Sequence, residues 1–98
     1  MKGDEELVRE AWEMVRAARR KNPILMGWKT SGLLAGAYYL LRLREGDPVN
    51  MMDIARRFGV HKVTVRKAKD ALIQVFGLQD EPLIKAWFKR WKRIYGVR

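Results

Sequence analysis

Apolar residues recur along this chain at helical spacing, and no segment alternates in the two-residue period of a half-buried strand. Leu7, Ala11, Met14, Val15 and Ala18 form one stripe, widened by Trp12, which predicts a helix from Glu5 to about Arg20. Asp4 is placed to cap it, with Glu5 and Glu6 in the first turn and the run Arg19, Arg20, Lys21 as a solvated last turn. Asn22-Pro23 ends it, because a residue before proline is pushed out of the α region. Ile24, Leu25, Met26 and Trp28 are too apolar for a solvated loop and are expected to fold back over the core or to form a brief helical turn. A second helix follows from a cap at Thr30 or Ser31 to Leu43 or Arg44. It is apolar on nearly every face between Gly32 and Leu41, the pattern of a helix surrounded by others. Gly32, Ala35, Gly36 and Ala37 would let neighbouring backbones approach it closely. Glycine in a helix costs roughly 0.5 to 1 kcal/mol relative to alanine, so the packing around Gly36 has to offset that loss.

Glu45-Gly46-Asp47-Pro48 reads as a turn and Asn50 as the cap of a short third helix, Met51 to Phe58, which Gly59 terminates. A fourth helix spans Lys62 to Phe76 and stops at Gly77. Asp80 can cap a fifth, with Pro82 in its opening turn and Gly96 near its end. In that fifth segment Leu83, Ile84, Trp87, Trp91 and Ile94 share one side, and Lys85, Lys89, Arg90, Lys92 and Arg93 occupy the others. The expected fold is therefore all-α with five helices in one domain, residues 1–98. Residues 51–70 form a helix-turn-helix and residues 80–98 a basic, aromatic terminal helix.

The pair of helices at 51–70 carries the sharpest local signal. Ile54, Ala55 and Phe58 bury one side of the first helix, Gly59 and Val60 make the corner, and Val65, Ala68 and Leu72 hold the second helix against it. This leaves the outer face of the second helix to a partner. In a helix-turn-helix that face enters the DNA major groove, its early side chains touching base edges and its flanking basic groups holding phosphates. Thr64 and Arg66 are the candidate base-edge contacts, and Arg56, Arg57, His61, Lys62, Lys67 and Lys69 the candidate backbone contacts. Arginine offers a rigid donor fork suited to guanine, whereas lysine is a mobile point charge suited to phosphate. Val63 has two readings, a thymine methyl contact or a buried contact within the fold.

Charge supports an anionic partner. The 98 residues hold 21 Lys and Arg against 11 Asp and Glu, a formal net charge of +10 at pH 7. The excess grows along the chain, from +1 over residues 1–28 to +4 over residues 80–98. Nucleic acid is the commonest polyanion to meet such a surface, and a membrane surface the next. The longest apolar run, Leu33 to Leu41, is about half of the roughly 20 residues a bilayer-spanning helix needs. The N-terminus lacks the basic and apolar regions of a secretory signal, so an intracellular, cytoplasmic or nucleoid-associated setting is expected.

Catalytic chemistry finds little to work with. There is no Cys, and His61 is the single histidine, so neither a thiolate nor a histidine cluster can hold a metal. No paired carboxylates and no Gly-rich phosphate loop are evident. The expectation is a binding protein rather than an enzyme, without cofactor or metal.

Two linked features resemble a known family. The central helix carries Gly36-Ala37-Tyr38-Tyr39-Leu40-Leu41, and downstream lie Asp53-Ile54-Ala55, Gly59-Val60 and Val63-Thr64-Val65-Arg66-Lys67. Together Gly32 to Leu72 resembles the central part of a cyclin-like repeat of the transcription factor IIB family. The resemblance implies a five-helix cyclin-like domain in which Lys62, Thr64 and Arg66 belong to a DNA-recognition region beside a promoter element. The chain departs from the family in having one repeat instead of a tandem pair, and its lack of Cys leaves no zinc ribbon.

These readings converge on a sequence-specific binder of double-stranded DNA, a transcription regulator or initiation-factor-like protein that reads the major groove with the helix beginning near Lys62. The alternative is a cyclin-like protein-interaction module with only nonspecific nucleic-acid affinity; RNA binding is a lesser one. Trp87, Phe88, Trp91 and Tyr95 either close the core or offer an interface for a second copy or a transcription-machinery protein.

Overall fold

A computed structural model describes residues 3–46 and 49–78. Their elements are α1 (Asp4–Lys21), a 3-10 turn (Pro23–Gly27), α2 (Thr30–Arg44), α3 (Met51–Phe58) and α4 (Lys62–Phe76). The expected five-helix cyclin-like domain is thus corrected to an all-α domain of four helices among the described residues. The four helices and the 3-10 turn share one core, in which Leu7, Val15, Leu25, Leu33, Leu40, Val65 and Leu72 are each less than 2 % exposed or at that limit. The expected terminal helix at 80–98, with Trp87, Phe88, Trp91 and Tyr95, falls outside the described residues.

α2 is the axis of the fold. Every residue from Gly32 to Leu41, and Leu43 as well, is buried, because α1, α3 and α4 all pack on it. The stripe of α1 that faces α2 is Leu7, Ala11, Val15 and Ala18, with Val8 and Met14 at its margins; Trp12 stays 41 % exposed.

Closest approach occurs between α2 and α4. A methyl group placed on Gly36 would stand 2.6 Å from Cβ of Ala68 and 2.7 Å from the backbone nitrogen of Lys69. One turn earlier, a methyl on Gly32 would stand 2.8 Å from Cγ2 of Thr64. Gly32 and Gly36 therefore meet Thr64 and Ala68 in the same order, so the two helices run side by side in the same direction, with their N-termini at one end of the molecule. The glycines that cost α2 helix stability are the residues that bring it to backbone contact with α4.

Three local expectations change. The cap position of α1 is Gly3, which supplies no side-chain acceptor, and Asp4 is the first helical residue. Its carboxylate is engaged across the molecule, as described below. Likewise α2 begins at Thr30 after Lys29, with no side-chain cap from Thr30 or Ser31. Arg19 is not a solvated residue: it donates to the carbonyls of Leu25 (3.3 Å) and Trp28 (2.8 Å) and to the Thr30 hydroxyl (3.1 Å), fastening the 3-10 turn to α1 and to the start of α2. Asn22 opens that turn by accepting from the Ile24 amide at 3.2 Å. The turn buries only Leu25 and leaves Ile24 75 % and Met26 65 % exposed.

Candidate nucleic-acid interface

The corner between α3 and α4 is built by strong local signals. The Asn50 side chain accepts from the amides of Met52 (2.9 Å) and Asp53 (3.3 Å), satisfying two of the donors that a helix start leaves open. At the other end Gly59 takes φ +67°, ψ +36°, its amide donating to the Arg56 carbonyl at 3.3 Å while Val60 donates to Ala55 at 2.9 Å. This pair of bonds is the Schellman arrangement, and the left-handed conformation it requires suits glycine. The chain resumes helix at Lys62 after only three residues.

Packing then sorts the faces. Ile54, Ala55, Val65, Ala68 and Leu72 are buried, and Phe58 and Val60 are half-buried at the edge of the same core. On α4 the exposed positions are Lys62, Val63, Arg66, Lys67, Asp70 and Gln74. Lys62 and Arg66, like Val63 and Lys67, are four residues apart, so they form two adjacent rows of one helix face. His61, also exposed, precedes the helix without capping it, so the first amides of α4 receive no side-chain acceptor from that residue.

The remaining candidates are placed differently. Thr64 is half-buried, with its methyl against Gly32. Lys69 is buried: its side chain is 5 % exposed and its ammonium lies 2.8 Å from the Asp70 carboxylate. Its position in the α4 face that approaches Gly36 buries its stem, and its ammonium is engaged by the exposed Asp70 carboxylate, unlike those of the outward Lys62 and Lys67. On α3, Arg56 is exposed in a loose 3.6 Å pair with Asp53, which is solvated at both ends and competes weakly with any other anion.

Arg57 is committed elsewhere. Its two terminal nitrogens donate to the two oxygens of Asp4 at 2.7 and 2.6 Å, a bidentate pair between the C-terminal end of α3 and the first residue of α1. The Tyr38 hydroxyl donates to Asp4 Oδ1 at 2.5 Å and accepts from Arg57 at 2.9 Å and from Arg42 at 3.4 Å. The Arg57 guanidinium also lies over the Tyr38 ring at 4.9 Å, and that ring meets Phe58 at 5.5 Å. Hydrogen bonds from Arg57 and then Tyr38 hold the Asp4 carboxyl well below the usual carboxylate range. Bonding to that carboxylate in turn raises Arg57 further above its ordinary value. Burial, followed by the bond to Asp4, pushes the Tyr38 phenol up, so it remains a neutral donor. Arg57 thus positions α3 rather than extending from it.

Two exposed residues join the surface that the sequence pattern does not mark as part of it, Ser31 being read there only as a possible helix cap. Lys29 and Ser31 flank the start of α2, which the Gly32–Thr64 contact sets beside the first turn of α4. No local signal places them beside α4, since that placement depends on a contact between residues far apart in the chain. Among the described residues no three His, Asp or Glu side chains gather as a metal site requires, and no helix is long and apolar enough to cross a membrane.

Comparison of the chain with protein-family models, curated proteins and solved structures finds no match. The resemblance to the transcription factor IIB family rests on the residues quoted for it alone.

Proposed function

We propose that this protein binds double-stranded DNA in a sequence-dependent manner, laying the first turns of α4 in the major groove, and acts as a regulator of transcription. The observation that carries this reading is the outward face of α4, where Lys62, Val63, Arg66 and Lys67 are exposed on a helix locked from behind by backbone contact with α2. Rigidity matters because base readout needs side chains held at fixed positions along the groove. Arg66 supplies a donor fork for a base edge. Lys62 and Lys67, with Arg56, Lys29 and His61 around them, supply groups for the phosphates. The described residues measure 35 Å along their longest axis, so one copy covers about one turn of duplex, roughly 34 Å.

The test is selection from a random duplex pool with the full chain, followed by competition between enriched and scrambled sequences at near-physiological salt. Enrichment of a reproducible sequence is expected. Arg66→Ala should lose discrimination between enriched and scrambled duplexes, and Lys67→Ala should weaken binding to both and flatten the salt dependence by about one ion. Binding without enrichment that modest salt abolishes would overturn the proposal.

A second reading, a protein-interaction module, draws on Trp12, Ile24, Met26 and Trp28, which are 41, 75, 65 and 37 % exposed. Exposed apolar side chains of this size are what a protein partner would cover.

A further inference from the structure

We infer that Val63 is a base-reading residue, packing against the 5-methyl group of a thymine within one or two base-pair steps of the base that Arg66 meets. This rests on the proposed DNA reading and names part of the site that α4 would select. Of the two first-turn residues able to meet a base edge without a formal charge, Thr64 is turned inward, its methyl against Gly32. Val63 is turned outward and is 49 % exposed, a branched apolar side chain among Lys62, Arg66 and Lys67. The buried side of α4 is made by Val65, Ala68, Lys69, Leu72 and Ile73, and Val63 stands outside that set.

In the major groove the apolar feature of an unmodified duplex is the thymine methyl, and a small aliphatic side chain is its natural complement. Val63 and Arg66 are three residues apart on one face, about 4.5 Å along the helix axis. Base pairs are stacked about 3.4 Å apart, so the two side chains address neighbouring pairs. The valine methyls are fixed by a stiff χ1, which lets a contact of this size discriminate.

The experiment uses the enriched duplex from the selection and replaces each thymine in turn by deoxyuridine, which removes the methyl and leaves the pairing unchanged. Wild-type protein and Val63→Ala are compared on the whole set. One thymine is expected to matter, its replacement weakening wild-type binding about fourfold, the worth of one methyl withdrawn from water. The same replacement should leave Val63→Ala unaffected, and that variant should bind the unmodified duplex about as weakly as wild type binds the uracil-containing one. A neutral replacement at every thymine, or a loss that persists undiminished in Val63→Ala, would overturn the inference while leaving the DNA reading intact. Failure of the selection itself would overturn the DNA reading and this inference with it. A second variant, Val63→Ser, is run on the same set, and a neutral replacement series on wild-type protein overturns the inference whatever the stability of either variant.

Discussion

Two of the contacts that join α4 and α3 to the rest of the molecule work by opposite means. Where α4 crosses α2, Gly36 faces Ala68 with no room for another carbon, and the bond is shape alone. Where α3 meets α1, Asp4 and Arg57 join through two charge-assisted hydrogen bonds while their side chains remain 49 % and 44 % exposed. The first contact is dry and indifferent to solution conditions; the second lies half in water and depends on an ionised carboxylate. The proposed reading face belongs to the helix held by shape, and the charged fastening sits near the C-terminal end of the preceding helix, beside the corner that leads into α4.

The sharpest way to break the comparison is Gly36→Ala. The added methyl meets backbone atoms rather than a flexible side-chain end, so the helices must separate, and a loss of about 3 kcal/mol is expected, at the upper end for overpacking. Thermal or denaturant unfolding should show it undiminished by salt. Much smaller is the effect of the polar fastening. Removing either partner by Asp4→Ala or Arg57→Ala should cost about 1 kcal/mol, since a bidentate pair this exposed is weakened by solvent. The double mutant should be no worse than the sum of the single ones, and the coupling should shrink in high salt.

The smallest effect, and the one that sharpens the contrast, is a dependence on pH. The Asp4 carboxyl is held below its ordinary range in the folded protein, so its contribution is fully present above the unfolded value of about 4 and is lost as pH falls below that toward the folded value. Asp4→Asn should remove that part of the acid sensitivity, visible in unfolding midpoints compared at pH 5 and pH 3, whereas Gly36→Ala should leave the slope with pH unchanged.

How much of this was legible in the residues depended on range. The boundaries of α3 and α4, the Asn50 cap and the left-handed Gly59 follow from neighbours within one turn, and they stand as the pattern predicted. The buried set of Ile54, Ala55, Val65, Ala68 and Leu72 follows from helical period for the same reason. Asp4 misled because two rules competed for it. A capping carboxylate at a helix start is a local preference, but Arg57 and Tyr38, far along the chain, offered it stronger partners. Lys69 and Arg19 carry charges that suggest solvent, and their surroundings are decided by glycine at 36 and by the 3-10 turn, neither of which is visible from their own neighbourhoods. Val63 and Thr64 sit side by side at a helix start. Which of them turns outward was settled by the absence of a side chain on Gly32.

That last contact, with its partner one turn along, also works as an index. Gly32 accepts Thr64 and Gly36 accepts Ala68, so sliding α4 by a turn toward its own N-terminus would drive the Leu72 side chain onto Gly36, into the space that the single methyl of Ala68 fills. The helix has one seat on this side, and a helical pitch of about 5.4 Å is the smallest step to any other. Extra residues spliced into the connection between α2 and α3 would therefore lengthen a loop without advancing the tip of α4, which makes that connection a natural place to insert a reporter or a tether.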